Sequence, residues 1–328
     1  RSHVDKVYYA RVEGALEPAD AAAFAAGMTL GDGLECLPAG LEIIEEGAFA
    51  QMPNLTAINI PGGVKELPYM VFYNDVNLAS VTLNEGLEKI GSDVFSSCSG
   101  LKSLILPDTV KELGENTFQN CTSLASINFP AGLTYIPYAC FDNAGLTTLT
   151  IPENIVSIGG GAFGRCAKLT SVTLPDTIRV IGDYAFQTAW SQSSITSMNL
   201  PEGLEEIGAY ALYYIPVDFK LPSTLKRIGN SAFAQSGITE VHFGDAIEAV
   251  DDRAFNFCKK LVKAELTKET QNCEGLYLYC DNLAEVTIED GVTYIPENCF
   301  FDCFALTSVV LPDSVTEIGK SAFYGCDF

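Results

Sequence analysis

Residues with the chemistry that catalysis needs are few and widely spaced in this chain. Among 328 residues there are two histidines, His3 close to the first residue and His242 in a predicted strand. The sequence has no G-x-S-x-G, H-E-x-x-H, P-loop or Rossmann-type glycine motif. Cysteine–histidine catalysis would need His242 beside a thiol, whereas the repeat described below directs cysteines inward and His242 outward. The sequence therefore predicts no catalytic residue and no enzyme activity.

The eleven cysteines could instead serve as metal ligands or form disulfides. The spacings Cys273–Cys280 and Cys299–Cys303 resemble ligand pairs, but structural zinc needs four ligands that converge in tetrahedral geometry. Six cysteines sit three residues after a phenylalanine, and Cys280 is assigned the same place after Leu278. A position that recurs in this way predicts a line of buried, reduced thiols, without a metal or a cofactor. The six are Cys98, Cys121, Cys166, Cys258, Cys303 and Cys326.

Carboxylates also recur at one position, the second residue after each repeat start, in eight of thirteen units. Stacked carboxylates about 5 Å apart repel one another, and calcium could bridge them. The alternative is a turn position that favours aspartate and stays solvated. The sequence leaves both interpretations open. These residues are Glu85, Asp108, Glu153, Asp176, Glu202, Asp245, Asp290 and Asp313.

The element that must position all of these residues is a unit of 22 or 23 residues. Its pattern is [LIF]-P-x-x-[LIV]-x-x-[IL]-G-x-x-A-F-x-x-C-x-x-L-x-x-[VI]-x-[LIF]. The segment L-x-x-[VI]-x-[LIF] predicts a short strand, which the following proline ends. The pattern gives twelve full units and a thirteenth that is incomplete. They start at Leu37, Ile60, Leu83, Leu106, Phe129, Ile151, Leu174, Leu200, Leu221, Phe243, Leu266, Ile288 and Leu311.

One phenylalanine per unit predicts a column of stacked rings in the core, because a single unit cannot bury its own apolar face and its neighbours must cover it. Leu212 and Leu278 are assigned as the two interruptions. The column residues are Phe49, Phe72, Phe95, Phe118, Phe141, Phe163, Phe186, Phe233, Phe255, Phe300 and Phe323.

The composition excludes two classes of partner. Asp plus Glu number 42 against 19 Lys plus Arg, which gives a net charge of −23. Such a surface repels phosphate backbones and anionic lipid, so neither nucleic acid nor a membrane surface is expected to bind. No run of 18 apolar residues occurs, so no insertion into a membrane is expected. This chain also shows no signal peptide.

The unit resembles the BspA-like (Treponema pallidum-type) leucine-rich repeat over residues 37–328. The resemblance implies a secreted or cell-surface protein, bacterial or protist, and often an adhesin. The expected fold is an α/β-type repeat solenoid dominated by short parallel β-strands. It would be a right-handed leucine-rich-repeat curved rod of about thirteen coils of 22–23 residues. The expected partner is a host matrix or microbial surface protein.

Residues 1–36 lie outside the period and are predicted to form an N-terminal capping segment, with a short helix in PADAAAFAAG. Residues 37–328 are predicted to form the solenoid, and its last repeat is incomplete. Because the sequence stops at GCDF, directly after a core cysteine, the last coil is expected to present an apolar face. The expectation is either a longer parent protein or end-to-end self-association through that coil.

The irregular units offer the strongest indication of a ligand site. A 26-residue unit carries Trp190, the single tryptophan, and the 21-residue unit that follows reads AYALYYIPVDF. Insertions in solenoids map to loops on one face, frequently the binding face. The alternative is that Trp190 and one tyrosine refill the core where the period slips. The candidate ligand-binding residues are Tyr184, Trp190, Tyr210, Tyr213, Tyr214, Lys220 and His242, with Phe219 as a further member of the aromatic cluster.

The sequence thus predicts a non-enzymatic protein-interaction or adhesion module. The alternative is a carbohydrate-binding surface protein, because aromatic side chains in an acidic, hydroxyl-rich setting also suit stacking on sugars. A glycan ligand is then the other expected partner.

Overall fold

The computed structural model describes residues 35–37, 40–188 and 193–328. The chain divides into two units, residues 1–146 and residues 147–328. Within the described residues each unit is a parallel β-solenoid, and none of these residues is helical. The predicted N-terminal helix lies outside the described residues. No helix of the length and apolarity needed to cross a bilayer occurs in the described part of the chain.

The described residues of unit 1 form nine short strands, which pair in parallel on two faces. Glu35 and Cys36, the last two residues of the predicted cap, already pair with the strand at Ala57–Ile60. The strands are β1 Glu35–Cys36, β2 Ala57–Ile60, β3 Glu66–Leu67, β4 Ser80–Leu83, β5 Lys89–Ile90, β6 Ser103–Leu104, β7 Glu112–Leu113, β8 Ser126–Ile127 and β9 Tyr135–Ile136. On one face β1, β2 and β4 are neighbours, as are β6 and β8. On the other face β3, β5 and β7 are neighbours.

Unit 2 repeats this arrangement. The strands are β10 Thr148–Thr150, β11 Ser157–Ile158, β12 Ser171–Thr173, β13 Val180–Ile181, β14 Ser197–Met198, β15 Glu206–Ile207, β16 Arg227–Ile228, β17 Ala249–Val250, β18 Lys263–Leu266, β19 Glu285–Ile288, β20 Tyr294–Ile295 and β21 Glu317–Ile318. On one face β10, β12 and β14 pair in order, as do β18 and β19. On the other face β11, β13, β15, β16 and β17 pair in order, as do β20 and β21.

The predicted solenoid is confirmed, with about eleven turns spaced about 23 residues apart. The thirteen units counted from the sequence exceed this number slightly. That count includes the first unit, two residues of which lie outside the described part, and the incomplete last unit.

The phenylalanine column forms the core of each unit. In unit 1 the rings of Phe49, Phe72, Phe95, Phe118 and Phe141 stack at centroid distances of 5.2–5.6 Å. The spacing equals the distance between coils, because each ring lies over its equivalent in the next coil. The column therefore follows directly from the repeat.

In unit 2 the column contains a tyrosine that the sequence analysis placed wrongly. Tyr277, not Leu278, stacks between Phe255 and Phe300, at 6.0 and 5.8 Å. Tyr277 also stands three residues before Cys280, the spacing found elsewhere in the repeat. The buried Tyr277 hydroxyl donates to the Glu265 carbonyl at 2.5 Å, which satisfies its polar atom. The other interruption, at Leu212, is confirmed as a buried column residue.

The turn around each column residue has an alternating backbone. Almost every column residue is flanked, two positions before and two after, by residues in the left-handed region; Asn116 (φ 55°) and Asn120 (φ 59°) flank Phe118 in this way. The backbone N–H groups of the column residues and of their left-handed neighbours donate to carbonyls of the following coil, as from Phe118 to Cys140 at 2.8 Å and from Asn120 to Asp142 at 2.8 Å. The backbone of this turn is thus satisfied between coils rather than within a helix.

Candidate ligand-binding surface

Four of the tyrosines predicted as ligand-binding lie together on unit 2. The rings of Tyr184 and Tyr210 stack at 5.2 Å with an interplanar angle of 5°. Tyr213 lies 5.9 Å from Tyr210 and 5.9 Å from Tyr214. These four residues are called the tyrosine surface below. Tyr184 is exposed, and the other three are half-buried.

The repeat itself brings these residues together. Tyr184 and Tyr210 both lie two positions before a column residue, and the Tyr184 N–H donates to the carbonyl of Ala209 at 2.7 Å. Tyr213 and Tyr214 directly follow the column residue Leu212. Gln235, in the next coil, donates from Nε2 to the Tyr213 hydroxyl at 2.6 Å. Partial burial raises the pKa of Tyr213, and the neighbouring Tyr214 and Tyr210 hydroxyls add to this effect. Tyr213 is therefore a neutral hydroxyl at ordinary pH.

Three residues of the tyrosine surface adopt a backbone conformation that bulky side chains avoid. Tyr184, Tyr210 and Tyr214 have φ of 58°, 54° and 62°. A left-handed residue with a Cβ costs on the order of 1–2 kcal/mol, and asparagine tolerates it best. Unit 1 uses asparagine at equivalent places, where Asn143 donates to Asn120 at 2.9 Å. The left-handed backbone belongs to the repeat, since it flanks almost every column residue, but the scaffold does not require aromatic side chains there: Ala139 and Ser231 occupy equivalent places.

The structure modifies the remainder of the predicted patch. Phe219 is only 3% exposed and packs edge-on against Phe233, so its inclusion in a surface cluster was wrong. Phe219 stands two residues before the repeat start Leu221, at the strand position that Val172 and Met198 fill with buried side chains in two earlier units, so the repeat directs it into the core. Trp190 lies outside the described residues, and its predicted role stays a prediction.

Lys220 and His242, the two remaining predicted residues, are both exposed on unit 2. Lys220 is exposed and makes no ion pair with any residue that the structure describes. His242 is exposed, and its Nδ1 lies 2.8 Å from Oε2 of Glu265. Phe243 donates its backbone N–H to the same carboxylate. His242 points outward, as predicted, toward a shallow groove that also includes Asp245 and Glu289. Its role in ligand binding stays a prediction.

The cysteines are structural. The ten cysteines whose side chains the structure describes are free, and nine are buried. Seven of these thiols donate to carbonyls of the preceding coil, as from Cys121 Sγ to Phe95 at 3.1 Å and from Cys280 Sγ to Phe255 at 3.2 Å. Burial raises the pKa of Cys121, and raises that of Cys303 to about 12. Burial therefore holds the Cys121 and Cys303 thiols in the protonated form.

Metal ligands do not converge in the described part of the chain: no group of three or more His, Cys, Asp or Glu residues could hold an ion. Two residues of the acidic column instead accept hydrogen bonds from the next coil. Glu85 accepts from the Asp108 N–H at 3.2 Å, and Glu202 accepts from Ser223 at 2.8 Å. Both carboxylates thus join coils, which agrees with the turn interpretation.

A second group of surface aromatic residues was missed by the sequence analysis. Phe257 stacks on Tyr279 at 4.6 Å, Tyr279 meets Phe301 edge-on, and Phe301 stacks on Tyr324 at 4.7 Å. These side chains stand one or two residues after a column residue, as Tyr213 and Tyr214 do. That shared offset was the signal available in the sequence.

Comparison with known proteins agrees with this architecture. A model of the BspA type leucine-rich repeat region matches residues 36–147, 134–217 and 215–328. A leucine-rich repeat protein from Bacteroides ovatus is similar, with 24% identity over 89% of this chain and 72% of that chain, and a TM-score of 0.65. A search of curated protein sequences gave no match.

Two further solved structures share the fold. A leucine-rich repeat protein from Eubacterium ventriosum is 18% identical over 84% of both chains, with a TM-score of 0.54. The pneumococcal vaccine antigen PcpA is 17% identical over 89% of this chain and 85% of that chain, also with a TM-score of 0.54. At these identities the likeness concerns the fold alone.

Proposed function

Because the chain belongs to the BspA-type leucine-rich repeat family, we propose that it acts as a non-enzymatic protein-interaction or adhesion module, secreted or displayed on a cell surface. The observation that supports this proposal is the tyrosine surface. Four tyrosines in mutual contact present rings and hydroxyls together, and tyrosine is enriched at binding hot spots. Three of the four persist at strained backbone positions that asparagine would fill at lower cost.

The proposed ligand is a host matrix or microbial surface protein with a basic contact area. The net charge of −23 favours encounter with a cationic surface and disfavours nucleic acid. Tyrosine combines a rigid apolar ring with a hydroxyl, so one residue contributes both buried area and a hydrogen bond at low entropic cost.

Binding of the intact chain to immobilised matrix proteins, compared between wild type and Tyr213→Ala, tests this proposal. Loss of a central anchor should weaken binding by about 2 kcal/mol or more. Tyr138→Ala is the matched control, because Tyr138 is a surface tyrosine of unit 1 with 58% exposure. Thermal unfolding is measured on the same samples. Unchanged binding together with a large loss of stability would show that the tyrosines repair the core, and the proposal would then be wrong.

We also propose end-to-end self-association through the last coil. Leu311, Ile318 and Phe328 are exposed by 38%, 50% and 64%, although the residues equivalent to the first two, Leu106 and Leu113, are buried, so this chain presents apolar area there. Burying such area between two copies would be favourable. The alternative function is carbohydrate binding, since the exposed ring of Tyr184 offers an apolar face on which a sugar ring can stack.

A further inference from the structure

Lys259 shows how this protein holds a cation on its own surface. Its Nζ lies over the ring of Phe257, 5.8 Å from the centroid, and 2.6 Å from the carboxylate of Asp281 in the next coil. Phe257 and Lys259 stand two and four residues after the column residue Phe255, and Asp281 stands four residues after Tyr277. The second and fourth positions after a column residue are therefore neighbours on the outer surface of the turn.

Two coils further along unit 2, the same two positions carry a carboxylate and an exposed ring. Asp302 and Phe304 stand two and four residues after Phe300, and Asp327 holds the fourth position of the coil that follows. The Asp302 N–H donates to the carbonyl of Tyr324 at 2.7 Å, which keeps the two coils in register. Phe304 is 48% exposed. Asp302, Phe304 and Asp327 are called the Phe304 patch below.

The carboxylates of the Phe304 patch are not compensated by a cation. Neither Asp302 nor Asp327 makes an ion pair or a side-chain hydrogen bond with any residue that the structure describes. Residues 288–328 carry seven carboxylates and one cation, Lys320, which pairs with Glu297 at 3.8 Å. A cation for the patch must therefore come from a ligand.

We propose that the Phe304 patch binds an arginine side chain of a protein partner. A guanidinium is planar and stacks on an aromatic face, while its fork of N–H donors fits a carboxylate. Phe304 supplies the ring, as Phe257 does beneath Lys259. Asp302 and Asp327 supply the charge, as Asp281 does in the pair with Lys259. Arginine is favoured over lysine because an ammonium group is more strongly hydrated and does not stack.

This inference rests on the proposed function, because it assigns one contact for a partner with a basic contact area. It uses no residue of the tyrosine surface. Its failure appears with a small arginine probe, whereas failure of the proposed function appears as matrix-protein binding that Tyr213→Ala leaves unchanged.

The probes are the amides of N-acetylarginine, N-acetyllysine and N-acetylcitrulline, and citrulline has the shape of arginine without its charge. Binding to the full chain is followed by saturation-transfer NMR in about 150 mM NaCl, which screens distant carboxylates. The arginine probe should bind with a Kd on the order of 1–10 mM. The lysine probe should bind about threefold less tightly, and the citrulline probe at least about tenfold less tightly.

Two substitutions remove the ring and one carboxylate separately. Phe304→Ala and Asp302→Asn should each weaken arginine binding about three- to tenfold. Asparagine tolerates the left-handed backbone of Asp302, at φ of 55°, so this variant should fold. The matched controls are Tyr138→Ala, at a surface ring of unit 1, and Asp93→Asn, at a left-handed carboxylate with φ of 57°. Both should stay within about 1.5-fold of wild type.

Lys259→Ala tests the comparison on which the proposal is built. It uncovers Phe257 and Asp281, so a second place for the arginine probe should appear. The apparent affinity, which sums over both places, should then rise about twofold. Lys260→Ala is the matched control, because Lys260 is exposed, carries the same charge and makes no ion pair with the described residues.

Any of four results would overturn the inference. The arginine probe does not bind up to about 100 mM, or the lysine or citrulline probe binds at least as tightly. Phe304→Ala and Asp302→Asn bind the arginine probe as wild type does. Lys259→Ala gains no more affinity than Lys260→Ala.

Discussion

Truncation of one ring in the phenylalanine column should destabilise unit 1, and a comparison of two substitutions should separate the contribution of buried volume from that of ring stacking. Phe118 is fully buried, and its ring lies 5.6 Å from Phe95 and 5.2 Å from Phe141, nearly parallel to both. Phe118→Ala should cost about 3–5 kcal/mol, because it removes buried area and leaves a cavity that rigid neighbouring coils cannot close.

Phe118→Leu is the informative companion variant. Leucine fills most of the volume, as Leu212 does at the same place in another coil, but makes neither ring stack. Each aromatic pair contributes about 0.5–1.5 kcal/mol beyond its buried area, so losing two should cost about 1–3 kcal/mol. The free energy of unfolding is measured by urea titration with an unfolding probe in unit 1.

Tyr69→Ala serves as the surface control in unit 1, since Tyr69 is 43% exposed, and should change stability by less than about 0.5 kcal/mol. The reasoning would be refuted if Phe118→Ala cost less than about 1 kcal/mol, or if Phe118→Leu were indistinguishable from wild type. Either result would mean that stacking along the column does not stabilise the fold.

Further predictions concern the thiols, pH and association. Native protein should react slowly with a thiol reagent except at half-buried Cys326. Fewer than about five reactive thiols after denaturation without reductant would contradict the assignment of free thiols. Burial raises the pKa of Cys273 to about 12, whereas an unfolded thiol has a pKa of about 8.5. As pH rises above about 8.5 the unfolded chain loses this proton before the folded chain does, so the free energy of unfolding should fall. The fall should be smaller in Cys273→Ala. An equal pH dependence in both proteins would show that this thiol does not contribute. In sedimentation velocity, Ile318→Glu should reduce self-association, whereas Ile105→Glu, at an exposed site of unit 1, should not. A wild-type protein that stays monomeric at about 100 µM would contradict the association proposal.

The repeat period was enough to predict the fold and most of the core. It placed the strands, the inward cysteines and the phenylalanine column, because these depend on one side chain lying over its equivalent in the next coil. Tyr277 was missed because the adjacent Leu278 also satisfies an apolar pattern, and only the spacing to Cys280 distinguishes them.

The candidate surface was predicted less completely. The aromatic residues of the two irregular units were found, and four of them do lie together. Phe219 was misplaced because it was grouped with its neighbours by aromatic composition, although it stands two residues before the repeat start Leu221, at the inward strand position of the pattern. Phe257 and Tyr279 were missed because their exposure depends on left-handed turns, with φ of 58° and 60°, that an aromatic sequence does not suggest.

The alternating turn has a consequence for how such a chain can change in length over generations. Column residues donate their backbone N–H to the following coil, and the residue just before each of them accepts from the preceding coil, as Phe95 donates to Thr117 at 2.9 Å and Phe118 to Cys140 at 2.8 Å. The junctions inside a unit are therefore chemically alike. Duplication or loss of one whole repeat in the gene leaves all remaining junctions of the same kind, whereas gain or loss of a few residues displaces a ring from its column. Copy number is thus free to drift in steps of about 23 residues, and individual coils, once surplus to the scaffold, become available to acquire the aromatic side chains of a recognition surface.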